Sequence, residues 1–460
     1  MFCFPPFKNR SSKMAKPFPF LRLPLELREQ MYSHYFLPAD RLQACEYYGG
    51  GQYSFDFSLY HVNKQIYCEA QTVFRRENIF VRIETPWPQA VNHISHEGLC
   101  PIVAAHDTAD SFQHHHALVQ ISAPAHLIAP AHSVIVLLDD LHLFCQVWYY
   151  SALNYETLNH HLSVTFNLQN PYYPADPKPI PIALQKRLLL PFGVVKELDE
   201  VEVSGYDKEV QDELDALMKI PYDTPQKCCE DATALMESGD KTLAEGKPED
   251  ALQTYTKAFH AIHVIIMGRT RRVLADQFFH KGIDAGRYKG QTGTTVRIIL
   301  RIMLVARVVN AYLKLQQYEE ATFWGMRSIK IMRSTVGTEF EDFLIEVAGM
   351  LDVGLLYLRT GVSLMRMEES ASHELVAYTD DEDVGTSEKC FRFAKRFLKG
   401  EHQKLIKKEL EGNKVEVDES FWLDSDSKSD VDSMAPMHQD EAEGNGQADV
   451  IFQVWQASQY

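Results

Sequence analysis

Nothing in the 460 residues runs apolar far enough to cross a bilayer. The best stretch, "VRIILRIMLVARVVNAYL", is interrupted by Arg297, Arg301 and Arg307 and reads as a soluble helix. The opening "MFCFPPFKNRSSKMAKPFPF" is broken by prolines and charges and holds no run of signal-peptide length. Paired cysteines are missing too. The eight, at 3, 45, 68, 100, 145, 228, 229 and 390, make no disulfide framework and point to free thiols in a reducing, cytoplasmic or nuclear setting. There is no G-x-S-x-G elbow for a serine nucleophile and no HExxH pair for zinc. "GRYKGQTGTT" has glycines but no Gly-Lys-Ser/Thr, so it reads as a connector between helices rather than a phosphate-binding loop. Positive charge is scarce as well. With 46 basic and 63 acidic residues the net charge is −17, which argues against a broad nucleic-acid surface.

What is present is globular. A hydrophobic content of 45% with 11% aromatics, over this length, is enough for two or three domains with their own cores. The acidity is local. Between Val415 and Asp449, 11 acidic residues face one lysine, so this stretch carries −10 and the rest of the chain −7. It is too polar to fold alone. Ser425, Ser427 and Ser429 lie among its acids and resemble acidic-directed kinase sites. We expect the tail to fold back on the basic segment "RFAKRFLKGEHQKLIKK".

Along the chain, "FLRLPLELREQMYSHYF" predicts a helix entered through Leu23-Pro24, with Leu27, Met31 and Tyr35 as its buried stripe. A Gly-rich loop around Gly49 to Gly51 follows. In "SLYHVNKQIYCEAQTVF", Leu59, Val62, Ile66, Ala70, Val73 and Phe74 share one face, with Ser58 placed to cap the helix. Strands are predicted in "NIFVRIE", "HSVIVLLDD", "LNHHLSVTFNLQN" and "ELDEVEVSG", and a long loop over 84–130, which has no sustained periodicity. Helix 207–220 precedes Pro221 and Pro225, which mark a boundary before an almost wholly helical stretch.

That stretch opens with "ALMESGDKTLAEGKPEDALQTYTKAF". Gly239, Ala251 and Ala258 put small residues where two helices would touch, with Tyr255 between the alanines and Gly246 in the turn. The unit resembles the tetratricopeptide repeat, a helix pair of about 34 residues that buries its apolar face only by stacking on neighbours. "VVNAYLKLQQYEEATFWGMRSI" repeats the idea with Tyr312 and Ala321, although Val309 replaces the glycine and Gly325 the aromatic. A third echo is "LDVGLLYLRTG", with its second helix displaced to "CFRFAKRFLKG". The resemblance implies a groove lined at Met236, Asp240, Leu243 and Ala244. Because Asp240 has the wrong sign for a peptide carboxylate, chaperone tails are disfavoured as ligands.

The N-terminal "FLRLPLELREQMYSHYF" is similar to the opening of an F-box, the motif that docks receptors onto the adaptor of cullin-RING ubiquitin ligases. Leu21, Leu23, Pro24, Glu26, Leu27 and Met31 carry the match, and "SLYHVNKQIYCEAQTVFRRENIF" resembles the second half of fungal F-box-like domains. It covers roughly residues 18 to 84. The loop from Asp40 to Phe57 departs from the compact pattern. Adaptor contact through Leu21, Leu23, Pro24, Leu27 and Met31 is what the resemblance implies.

Three groups of residues admit either a chemical role or a plainer structural one. His93, His96 and Cys100 have spacings a zinc site can use, with His106 and His114 to His116 downstream, yet no second cysteine pair completes the set and a solvated insertion explains them. Asp139 and Asp140 follow a strand, as catalytic carboxylates or as a wet strand end. Cys228 and Cys229 open a helix, as activated thiols or as small packing residues. The expected fold is α+β: a disordered lead (1–17), an F-box-like helical region (18–84), an α/β region with long loops and a small mixed sheet (85–222), an all-α tetratricopeptide-like domain (226–410) and a disordered acidic tail (411–460). The expected function is protein–protein interaction, as a ubiquitin-ligase substrate receptor or as a scaffold. No enzyme activity, cofactor, metal, nucleic acid or membrane is expected.

Overall fold

The computed structural model describes residues 18–124, 130–172, 178–333, 350–379, 384–399 and 402–415. The lead, the acidic tail from 416 with its serines, and the proposed fold-back lie outside these residues. The chain is α+β and divides into two compact units. One draws on the stretches up to Cys145, His161–Gly193 and Leu198–Asp215; the other on Gln146–His160, Val194–Glu197 and the chain from Ala216.

The first unit opens with a 3-10 turn, Phe20–Arg22, and helix α1, Leu25–Tyr35, with Pro24 at its N-cap. The buried stripe is not the expected one. Arg28 and Tyr32 are buried, whereas Leu27 and Met31 face solvent. The loop expected from Asp40 is instead a hairpin of β1, Leu42–Cys45, and β2, Tyr48–Tyr53. Helix α2, Lys64–Glu77, starts later than predicted because Asn63, not Ser58, accepts from the Ile66 amide at 2.9 Å. Ser58 turns to Asp56, and Val62 is left exposed outside the helix. Ile66, Ala70, Val73 and Phe74 are buried as the periodicity requires, packed with Tyr32, Phe36 and Phe80.

A six-stranded mixed sheet follows, in the order β4-β6-β3-β5-β7-β8. Its strands are β3 (Phe80–Thr85), β4 (Ala104–Ala105), β5 (Ala117–Ser122), β6 (His132–Leu137), β7 (Ser163–Leu168) and β8 (Glu200–Ser204). β5 lies within the predicted loop yet pairs parallel with β3 and antiparallel with β7, near the middle of the sheet. Val134 to Leu137 are all buried, so β6 is covered on both faces. Helix α3, Leu141–Asn154, follows β6 and enters the second unit at Gln146. Helices α4, Ile182–Leu189, and α5, Lys208–Met218, come before and after β8.

The second unit is built from helix pairs. α6 (Pro225–Ala244) packs on α7 (Pro248–Ala261), α8 (Gly293–Lys314) on α9 (Tyr318–Arg333), and α10 (Met350–Glu369) on α11 (Ser387–Phe397). Thr224, Thr292 and Thr386 cap three of these helices. α8 also touches α6 and α7, and α10 touches α8 and α9, so each pair buries its neighbour's open face. α12, Gln403–Gly412, touches α10, joined to it by the Arg359–Glu409 ion pair at 2.6 Å, with Ile406 and Leu410 buried. The unit is not all-α. After α7 the chain forms a hairpin of β9, Val264–Met267, and β10, Thr270–Val273. Its Val-Ile-Ile run, followed by Gly268, favours a strand and turn over a continued helix. Among the described residues no helix is long and apolar enough to cross a membrane.

Candidate functional site

In the first unit the positions expected to meet an adaptor lie on α1 or just before it. Arg28 sends Nε and Nη2 to the two carboxylate oxygens of Glu69 on α2, at 2.8 and 2.7 Å. Tyr32 donates its hydroxyl to the same carboxylate at 2.9 Å, and Gln65 adds an amide at 2.9 Å. Arg28 also donates to the Leu23 carbonyl, which fixes the Leu-Pro entry. This polar pin turns the helix by one residue and pushes its apolar side chains outward. Phe18, Leu21, Leu25, Leu27 and Met31 are 67, 45, 44, 45 and 48% exposed. Leu23 is half-buried and Pro24 exposed. Phe18 and Leu25 were not singled out from sequence, where only their apolar character marked them.

The Arg28 hydrogen bonds hold the Glu69 carboxyl down to about 2, below its ordinary 4.5. A depressed carboxylate stabilises the fold above its unfolded value and loses that contribution as pH falls from about 4.5 toward about 2. We therefore expect acid titration of tyrosine fluorescence to show loosening of this unit within that window. Glu69→Gln should remove this pH dependence; an unchanged profile would mean that Glu69 does not control it.

In the second unit the expected groove residues separate. Met236 is 2% exposed and belongs to the core, a correction to its groove assignment. Leu243 is half-buried and Ala244 exposed. Asp240 accepts from the Tyr255 hydroxyl at 2.8 Å and from Arg307 Nε at 2.9 Å, so it is neutralised rather than offered to a ligand. Arg307 reaches on to Asp352 at 2.8 Å, and a line of charges thus runs across α6, α8 and α10. The packing positions Gly239, Ala251, Tyr255, Ala258 and Ala321 are buried, and Tyr312 is half-buried.

A cavity of about 590 Å³ not foreseen from sequence is lined by Tyr149, Tyr150, Cys228, His260 and His263, with Asp223 and Asp231 among the remaining walls. Its residues come from three separated stretches, so no local spacing announces it. Cys228 Sγ lies 3.8 Å from His263 Nε2. Burial pushes the thiol up to about 12 and His263 well below its usual value, so both are neutral and no thiolate–imidazolium pair forms. Cys229 is likewise pushed up to about 12 by burial, and both cysteines pack as small hydrophobes.

The remaining candidates disperse. Asp139 pairs with Arg187 at 2.7 Å, while Asp140, raised by burial, accepts from Tyr53 at 2.9 Å. His93 pairs with Glu97, His96 meets the Tyr47 carbonyl, and Cys100 is a buried thiol. His106 is exposed, His114 stacks on Tyr172, and His115 and His116 are buried, His116 being pushed down to about 4 by burial. Among the described residues no three His, Cys, Asp or Glu side chains gather as a metal-holding set. No cysteine among the described residues is in a disulfide. Compared with protein-family models, with curated proteins and with solved structures, the chain matches none.

Proposed function

We propose that this chain is a non-enzymatic protein–protein interaction module. Its F-box-like head docks on the adaptor of a cullin-RING ubiquitin ligase, and its tetratricopeptide-like helix pairs hold the client. The observation that carries this reading is that Leu27 and Met31, one turn apart on α1, and Leu21 just before the helix are exposed large apolar side chains, on a helix pinned by Arg28 and Glu69. Large apolar side chains exposed together on one helix face commonly mark a docking site. Leu21, Leu27 and Met31 are also positions through which the F-box resemblance implies contact.

Capture of the purified adaptor tests it. Leu21→Asp with Met31→Asp, both at exposed positions, should leave the circular dichroism unchanged and abolish capture. Full capture by the double variant would sink the docking reading. The β1–β2 hairpin between α1 and α2 favours a second reading, a scaffold whose head is only a fold. In that case the wild-type chain captures no adaptor.

A further inference from the structure

In β10, Arg271 and Val273 point inward, and Arg271 is 3% exposed. Its Nε is shut off from solvent and has no hydrogen-bond partner. The charges acting on it are those of Arg301 on α8 and Arg327 on α9. Both are half-buried, so the cluster leads from the enclosed Arg271 toward solvent. Among the described residues none of the three makes an ion pair; Arg327 donates only to the Arg269 carbonyl, at 3.3 Å. The neighbouring carboxylates are already engaged: Asp276 by Arg297 at 2.6 Å, Glu320 and Glu374 by Arg269 at 2.9 Å each. A guanidinium does not shed its proton at ordinary pH. Grouping them, with Arg271 shut off from water and no carboxylate among the described residues paired to any of the three, is unfavourable unless an anion completes the group.

We propose that Arg271, Arg301 and Arg327 form a binding site for a phosphate-type dianion, either free phosphate or the phosphoryl group of an ester. Guanidinium forks match the oxygens of a tetrahedral oxyanion, and a dianion neutralises more of the cluster than one carboxylate does. The site is built on the hairpin and on α8 and α9, and it is independent of what the head binds.

The test uses the full chain in chloride buffer, titrated calorimetrically with inorganic phosphate, phenyl phosphate and succinate at matched ionic strength. Phosphate should bind at a single site, at least about tenfold more weakly in Arg301→Gln and in Arg327→Gln. In thermal unfolding, phosphate in excess should raise Tm by roughly 5 °C. Arg271→Met should melt higher than wild type in chloride and show no phosphate response. Equal binding of phenyl phosphate assigns the site to an ester; binding of inorganic phosphate alone assigns it to the free ion. Either supports the proposal. Absence of binding by both phosphates overturns it, as does succinate binding as tightly, or phosphate binding that survives both glutamine substitutions.

Discussion

Replacing Arg297 by Met should destabilise the second unit by about 3–5 kcal/mol, the range for stripping one partner from a buried ion pair. Arg297 is 3% exposed and hydrogen-bonds in four directions. Nε meets the Ile262 carbonyl at 2.9 Å, Nη2 the His263 and Leu274 carbonyls at 3.1 and 2.6 Å, and Nη1 the Asp276 carboxylate at 2.6 Å. Its guanidinium also lies over the Phe279 ring at 4.4 Å. One side chain therefore ties both ends of the β9–β10 hairpin to α8, and holds His263 in the left-handed region at φ 56°. Methionine keeps much of the volume but strips the Ile262 and Leu274 carbonyls of their partner and leaves the Asp276 carboxylate without its counter-charge, while the His263 carbonyl keeps its bond from the Leu274 amide. Urea unfolding followed by tryptophan fluorescence should show the loss. Adding Asp276→Asn should recover part of it by removing the stranded charge. A loss below about 1 kcal/mol would show that water replaces the guanidinium at little cost.

The second large effect concerns α6 against α7. Tyr255 is fully buried, and Tyr255→Ala should cost about 3–5 kcal/mol, as for other buried aromatics. Its ring occupies the space that Gly239 leaves: a Cβ built there would lie 2.4 Å from Tyr255 Cε1 and 2.7 Å from Cδ1. Gly239→Ala should accordingly cost about 1–3 kcal/mol in the wild-type background, despite alanine's better helix propensity. In the Tyr255→Ala background the same change should stabilise, by up to about 1 kcal/mol. A double-mutant cycle reads that reversal of sign directly. If Gly239→Ala destabilises equally in both backgrounds, the glycine serves something other than the tyrosine ring.

Much of this packing is legible in the sequence because it is periodic. Ile66, Ala70, Val73 and Phe74 recur at helical spacing and are buried together. Gly239, Ala251 and Ala258 mark a close helix approach, and the tyrosine between the alanines fills it. What escaped has identifiable causes. The stripe of α1 shifts by one residue because a buried ion pair outcompetes apolar periodicity. β5 escaped because His114 to His116 and the serine after Ile121 hide a short alternating run. Arg297, Arg301 and Arg307 each announce a soluble helix, but their one-letter pattern does not separate a hydrogen-bonded arginine from an unpaired one. Gly325 replaced an expected aromatic because Thr360 of α10 takes its space; a Cβ there would lie 2.0 Å from the threonine hydroxyl. The cavity residues share no spacing, and only the folded chain brings Cys228 to His263.

Stacked helix pairs ordinarily unravel from their ends, because each unit speaks only to its immediate neighbours. Arg307 changes that behaviour. By holding Asp240 on one side and Asp352 on the other, a single residue of the middle pair couples the fate of the first and third pairs. Fraying at either end would strand a partly buried charge in the centre, which biases the three pairs toward opening together rather than one at a time.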